Sequence, residues 1–277
     1  MTISLFGNGF VGGAFAKTYP DEVEIVPRDD IYYRGGDILY TISTIHNYHP
    51  KEGDPFKDIN TNLVHFMKVL DANINEDVVF NFVSSWFVYG NTKIPAKEDS
   101  PCNPTGFYSI TKYAAELLLK SYCDTFGLKY RILRLANVIG TGDTKASAKK
   151  NALQWMIKTL SKEGEISVYE GGAVRDYIDI RDCVDAIHLV LEKGELNQIY
   201  NISNGRGYNV SELIDIARRE GGYKGKVGKM DVPDFHKVVQ VKHMYLDNSK
   251  IKSLGYAQKH DIKETVKGLV HHYQNEG

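Results

Sequence analysis

The sequence predicts an α/β fold, a doubly wound parallel sheet carrying a smaller C-terminal cap, and three observations predict it. Near the start, a short apolar strand runs into a glycine-rich turn that opens a helix. From there to about residue 140, apolar runs of strand length alternate with stretches of helical periodicity. Beyond that, two polar stretches, roughly 142–174 and 205–245, interrupt the alternation like insertions and contain helical runs of their own.

Ile3 to Phe6 reads as a buried strand. Gly7, Asn8, Gly9, Phe10, Val11 and Gly12 follow it as G-x-G-x-x-G, and a helix is expected from Gly13 to Tyr19. Gly7 permits the tight turn, Gly9 lets a pyrophosphate approach the backbone, and Gly12 lets helix and strand pack closely. The free N–H groups and positive dipole end of the helix complete a dinucleotide site. Pro20 and Asp21 break the helix, and Val23 to Val26 forms a second strand ending in Pro27, Arg28, Asp29 and Asp30. An acidic residue at that place grips the adenosine ribose of NAD, whereas an arginine receives the 2′-phosphate of NADP. The sequence offers both, so NAD and NADP stay open.

Ile38 to Ile42 is the next strand, and the helix and strand that usually separate it from the second strand are compressed or missing. Asp58 to Ala72 reads as a helix with Leu63, Phe66, Met67 and Leu70 on one apolar face. Asp77 to Val83 is a buried strand that runs into Ser84, Ser85, Trp86, Phe87, Val88, Tyr89 and Gly90. A hydroxyl at the carboxyl end of a parallel strand sits where open α/β sheets bind ligands. There it can hydrogen-bond a substrate oxygen as charge develops on it. In the insertions, Ala152–Ser161 and Val210–Arg219 are helical runs, and residues 177–204 return to the main sheet unit.

Composition narrows the class. With 277 residues, 42% hydrophobic and 25% charged, the chain can bury a sizeable core without disulfides. A net charge of −1 supplies no field toward nucleic acid or membrane. Cys102, Cys123 and Cys183 are odd in number and form no C-x-x-C, which fits a reduced, cytoplasmic setting and small buried hydrophobes. No apolar run is long enough to span a bilayer, and the opening strand and glycine turn do not read as a signal peptide. His46, His49, His271 and His272 share no spacing with a cysteine or carboxylate set, so surface histidines and no metal are expected.

Tyr108 and Lys112 are four residues apart and share one face if the segment is helical. A free tyrosine titrates near pH ~10, and a neighbouring positive charge lowers that value. Such a pair can give or take a proton at a carbinol or carbonyl oxygen. An exposed helix produces the same spacing, so the flanking motifs decide.

Those motifs are Ser85 five residues before Gly90, Glu98 and Pro101 to Pro104, then Tyr108 and Lys112. With the glycine turn they resemble the extended short-chain dehydrogenase/reductase superfamily, the NAD-dependent epimerase/dehydratase family that modifies nucleotide sugars. Arg134, Asn137 and Gly140 resemble its R-x-x-N-x-x-G, and Val168 to Asp182, with Arg175, resembles its Y-G-x-G-x-x-x-R-D stretch. Tyr200 to Asn204, Leu246 to Lys250 and Leu254 to Tyr256 extend the likeness over nearly the whole chain.

The resemblance implies a Rossmann-like NAD(P)-binding domain at 1–141, completed by 176–204, with 142–277 mainly a substrate-binding cap. It implies hydride chemistry at a sugar carbon, with Tyr108 moving the proton, Lys112 binding the nicotinamide ribose and holding the Tyr108 pKa down, and Ser85 polarising the carbonyl. Asn137 and Arg175 would face the nucleotide end of a nucleotide-diphosphate sugar, because a guanidinium bonds phosphate oxygens in pairs. The competing reading of Arg134 and Arg175 is an ion pair with Asp176, Asp179 or Asp182. Lys237 and His243 lie where the family often has a further phosphate-binding basic residue, but their match is poor. Relatives dimerise through two helices, here roughly 60–75 and 107–126, so a homodimer is expected.

The chain also departs from the family pattern. Trp86 and Phe87 stand where the dehydratase branch carries Asp-Glu, which argues against a 4,6-dehydratase. Large aromatics there can line a sugar face or pack; Trp86 is retained as a substrate-side candidate. Ser43 and Thr44 replace the family's usual Ala pair. The leading reading is epimerisation at C4 through a transient 4-keto sugar. The alternatives are an NADP-dependent 4-ketosugar reductase, favoured by Arg28 and the short adenine region, and a non-catalytic dinucleotide sensor.

Overall fold

The computed structural model describes residues 2–44, 54–74, 76–147, 150–162 and 164–276. The first half runs β1 (Ile3–Phe6), α1 (Phe10–Thr18), β2 (Val23–Val26), β3 (Asp37–Tyr40), α2 (Pro55–Ile59), a π-helical turn (Asn60–Val64), α3 (His65–Ala72), β4 (Val79–Ser85), a 3₁₀ turn (Trp86–Tyr89), α4 (Phe107–Phe126) and β5 (Lys129–Leu135). It continues with β6 (Asn137–Ile139), α5 (Ala152–Ser161), β7 (Ile166–Tyr169), β8 (Val174–Asp179), α6 (Ile180–Lys193) and β9 (Gln198–Ile202). The remainder is β10 (Gly207–Asn209), α7 (Val210–Gly221), β11 (Val227–Met230), α8 (Asp234–Val239), β12 (His243–Met244), α9 (Ser249–Ser253) and α10 (Ile262–Asn275).

The main sheet has the order β2-β1-β3-β4-β5-β9 and is parallel throughout. Strands buried on both faces explain the continuous apolar runs. On one face Phe66, Val69 and Leu70 of α3 and Leu119 and Cys123 of α4 pack on Tyr40, Phe80, Phe82 and Ile132. On the other, Phe15 of α1 and Val184, Ile187 and Val190 of α6 pack on Ile3, Leu5 and Leu133. A third cluster joins α5, α7 and α10 through Leu153, Ile157, Leu160, Leu213, Ala217, Val266 and Leu269. Two smaller sheets accompany it, β10-β8-β12 with β6 alongside β8, and β11 with β7.

Three expected boundaries move, each for a local reason. The first helix starts at Phe10 rather than Gly13, because the Gly13 N–H bonds the Gly9 carbonyl at 2.7 Å and closes the turn earlier. The expected helix over 58–72 is broken by the π-helical turn. There Asn62 is buried and bonds the Thr44 N–H and carbonyl and the Thr111 hydroxyl. The strand expected to end at Val83 reaches Ser85, pairing Ser84 with Arg134 and Ser85 with Leu135. As expected, no helix separates β2 from β3; Pro27 to Gly36 joins them as turns and loop.

Candidate active site

The carboxyl ends of β1, β3, β4 and β5 meet along one edge of the sheet, and the predicted residues collect there. Gly7 has φ of +110°, and a Cβ on it would come within 2.6 Å of Thr41 Oγ1. A Cβ on Gly12 would lie 1.9 Å from the Gly7 carbonyl oxygen, so only glycine lets α1 sit this close to the turn. Nothing lies within 4 Å of the Cβ position on Gly9, which caps α1 without a side-chain acceptor. The first-turn N–H groups of Phe10, Val11 and Gly12 have no acceptor within the helix, which suits them as donors for an anion. Arg28 is exposed just beyond β2, while Asp30 is engaged by Arg34 and by the Tyr32 N–H. Those bonds hold the Asp30 carboxyl below its ordinary range.

At the end of β4, Ser85 is buried and accepts a hydrogen bond from the Phe87 N–H at 3.4 Å. Tyr108 lies in the first turn of α4, where burial raises its pKa, hydrogen bonds from Ser85 and Ser43 pull it back, and Asp58 raises it. The Phe87 ring meets the Tyr108 ring edge-on, 5.9 Å between centroids at 85°. Lys112 is 1% exposed; its Nζ donates to the Val83 carbonyl at 2.6 Å and lies 4.0 Å from the Phe82 ring centroid. Burial pulls the ammonium down to about 7, with Glu116 opposing. The ammonium is committed to a carbonyl and a ring, and the groups that offset burial at the phenol are the two serines.

Next to this lies a cleft of about 840 Å³ whose walls include Trp86, Phe87, Asn137, Tyr169, Arg175 and His236. Trp86 stacks on Phe87 with centroids 3.9 Å apart, and the Arg175 guanidinium lies 5.4 Å from the Trp86 ring. Arg175 donates from one nitrogen to the Val174 and Lys242 carbonyls at 3.0 and 2.6 Å. Burial pulls its pKa down, and only Tyr177 and Tyr169 counter that. The acids weighed as its partners are occupied elsewhere. Asp176 accepts the Asn204 and Leu246 N–H groups, Asp179 binds Arg181 and Thr265, and Asp182 binds His260. Among the described residues Arg175 forms no ion pair. Arg134 is the opposite case, paired with Glu116 at 2.7 Å with both side chains buried. Asn137 is half-buried at the cleft, its Nδ2 donating to the Asp176 carbonyl at 2.8 Å.

Several contributors escaped the sequence reading. Ser43 reaches Tyr108 from beyond β3; its only signal was the departure from the Ala pair. Phe87 touches Tyr108 directly. His236 lines the cleft and hydrogen-bonds the Tyr169 hydroxyl, whereas Lys237 is an exposed partner of Asp234 and His243 is exposed. Nothing in the sequence favoured His236 over its neighbour. Cys123 and Cys183 are buried free thiols, the former pushed up to about 12 by burial, as expected of inert core cysteines. His271 pairs with Glu220 and His272 with Glu276. His46 and His49 lie outside the described residues. Among the described residues no His, Cys, Asp and Glu group is arranged to hold a metal, and no helix is long and apolar enough to cross a membrane.

The chain is similar to known proteins in sequence and in fold. A Methanocaldococcus jannaschii protein provisionally named UDP-glucose 4-epimerase is 30% identical over 226 residues, covering 80% of this chain and 72% of the relative. A UDP-glucose 4-epimerase of Corynebacterium glutamicum is 30% identical over 181 residues, 58% of this chain and 54% of the relative. Among solved structures, the Thermotoga maritima UDP-glucose 4-epimerase with UDP-glucose superposes with a TM-score of 0.85 at 23% identity, covering 100% of this chain and 99% of the other. RMD from Pseudomonas aeruginosa complexed with NADPH gives 0.82 at 18% identity, covering 100% and 99%. At these identities the two structures establish the doubly wound, Rossmann-like fold. A profile of the NAD dependent epimerase/dehydratase family matches residues 34–203. With a match over more than half its length, the chain belongs to the NAD dependent epimerase/dehydratase family.

Proposed function

We propose that this chain is an NAD(P)-dependent nucleotide-sugar epimerase, acting most simply at C4 through a transient 4-keto sugar. The observation that carries the reading is Arg175: a guanidinium in the wall of the cleft, bonded only to carbonyls, laid against Trp86 and lacking an acidic partner among the described residues. A half-buried cation without an acidic partner is partly desolvated, a cost that an anion joining it in use offsets. A diphosphate suits its planar fork.

Gly7 and Gly12 let the turn and α1 close up where a Cβ would strike Thr41 or the Gly7 carbonyl, and the Cβ position of Gly9 is open, so Gly7, Gly9, Phe10, Val11 and Gly12 fit the pyrophosphate of a dinucleotide. Arg28 would lie at the adenosine ribose, and Tyr108 and Lys112 at the nicotinamide ribose. When bound, the nicotinamide supplies a hydride acceptor and donor for the sugar carbon. In its phenolate form Tyr108 would take the proton of the C4 hydroxyl on Oη and, as the phenol, return it to the oxygen, and the Ser85 hydroxyl would donate to that oxygen as it becomes a carbonyl. Asn137 and Arg175 hold the nucleotide end, Trp86 flanks the sugar, and the cap side of the cleft keeps water away from the keto sugar.

The test is incubation of the purified chain with UDP-glucose, UDP-galactose and their acidic and N-acetylated counterparts, with NAD or NADP, reading sugar configuration by NMR. Interconversion of C4 epimers without net cofactor consumption supports the reading. A second reading, a 4-ketosugar reductase using NADPH, is favoured by the exposed Arg28 beside an Asp30 already engaged by Arg34. Stoichiometric NADPH consumption with a 4-keto sugar would establish it instead. Dinucleotide binding with neither conversion would identify the sensor. A homodimer is part of the same proposal: Val64, Ile110, Leu117 and Leu118 are exposed on the π-helical turn and α4. Light scattering of Leu117→Lys against the wild type tests it.

A further inference from the structure

Three successive turns of α4 are fastened to three successive residues at the end of β4. Tyr108, Lys112 and Glu116 are spaced i, i+4, i+8, so they lie along one face of the helix. Ser85 hydrogen-bonds Tyr108, the Val83 carbonyl accepts from Lys112 at 2.6 Å, and the Ser84 hydroxyl donates to Glu116. Glu116 is itself clamped by Arg134, whose Nε and one terminal nitrogen donate to its two oxygens at 3.1 and 2.7 Å. Arg134 is the β5 neighbour of Ser84, it also donates to the Glu98 carbonyl at 3.2 Å, and it lies over the Tyr89 ring at 4.6 Å. The Glu116 side chain is fully buried, one turn beyond Lys112.

We infer that Glu116 is a positioning residue for Lys112: fixed by Ser84 and Arg134, its carboxylate keeps the neighbouring ammonium charged where the Val83 carbonyl holds it. The buried Ser84–Glu116–Arg134 cluster then serves the ammonium proposed for the nicotinamide ribose and does more than stabilise the core. The inference rests on the proposed role of Lys112, but its test needs neither substrate nor cofactor, so the two can fail separately.

Around Lys112 the surroundings are otherwise apolar or neutral. From β4 come the Phe82 ring and the Val83 carbonyl; from the π-helical turn, Asn62 bonds the adjacent Thr111. The charged or titratable groups nearby are Tyr108 and Glu116 on α4, Arg134 on β5 and Asp58 on α2, the last acting on Tyr108. Burial draws Lys112 down to about 7 and Glu116 opposes it. A lysine depressed in the folded chain makes the unfolded chain the stronger proton binder, so stability rises with pH from the folded value up to the unfolded one. Removing the carboxylate lowers the folded value further and moves the start of that rise to lower pH.

The experiment follows the thermal midpoint of the full chain over roughly pH 5 to 10, for wild type and Glu116→Gln, each also carrying Lys112→Met. The difference between each chain and its Lys112→Met counterpart isolates the Lys112 titration. The expected result is a shift of that titration to lower pH by about one unit in Glu116→Gln. Glu116→Asp, which keeps the charge, is expected to restore part of the shift. Coincident titrations would overturn the inference and leave Glu116 as a core residue. If Glu116→Gln fails to fold because Arg134 is left unpaired, Glu116→Gln/Arg134→Met takes its place. That chain is compared with Arg134→Met alone, so that only the carboxylate differs, and the same shift or its absence decides.

Discussion

Two arginines contrast: Arg134, buried in the main sheet, and Arg175, half-buried in the wall of the cleft. Arg134, at the sheet end, has its charge matched by Glu116 and further bonds to the Glu98 carbonyl. Arg175, at the cap end, has carbonyls and an indole face but no acid among the described residues. The sheet end is complete in itself, and its polar groups fix one another. The cap end carries a charge that its own fold does not match. The difference teaches that the partner an arginine keeps in its own fold marks it as structural, and the want of one marks it as a binding candidate.

The largest expected effect lies at the sheet end. Tyr108→Phe removes only the hydroxyl that would move the proton, and turnover is expected to fall about a thousand-fold. Thermal stability should change little, because the Phe87 ring contact survives. Measured initial rates near those of the wild type would place the proton transfer on another residue and undo the assignment of this end as the chemical one.

Arg134→Met comes next and sharpens the contrast directly. It leaves the Glu116 carboxylate buried without its cation, which is expected to lower the unfolding free energy by about 3–5 kcal/mol. Urea unfolding reads this. Arg175→Met should do the reverse: unfolding is expected to change little, since the half-buried charge removed has no acidic partner among the described residues. Its KM for the nucleotide sugar should rise about 100-fold, because charge-assisted bonds to phosphate are lost. Equal destabilisation by the two substitutions would erase the distinction between the ends.

The sheet end was the more legible of the two. Gly7 and Gly12 announce their roles because a backbone that must pass so close to α1 admits no Cβ, and local spacing records that and picks out Gly9 between them. Ser85, Tyr108 and Lys112 fall at the end of a strand and on one helical face, so periodicity places them. What the sequence hid was contact between distant segments. Ser43 and Asn62 come to α4 from the β3 end and the π-helical turn, and no pattern in their own neighbourhoods points there. Glu116 looks like one more helical acid until Ser84 and Arg134 are seen around it. Equally, the sequence could not separate His236, which faces the cleft, from Lys237, which faces solvent, because a two-turn helix with no buried residue carries no amphipathic signal.

A third arginine extends the comparison to the surface and gives the smallest expected effect. Arg28 is exposed beyond β2, so replacing it disturbs no core, and Arg28→Ala should leave thermal stability unchanged. Asp30 is tied to Arg34, which leaves Arg28 and Asp29 to meet the adenosine end of a dinucleotide. If Arg28 receives a 2′-phosphate, Arg28→Ala is expected to weaken NADPH binding about tenfold and leave NADH binding as it was, because an exposed charge-assisted contact is worth about 1–2 kcal/mol. Titration of both cofactors by fluorescence decides this. A selective loss of NADPH would move the proposed activity from a cofactor-recycling epimerase toward the reductase. Equal affinities before and after would assign Arg28 to the solvated surface and leave NAD recognition to the acids beside it.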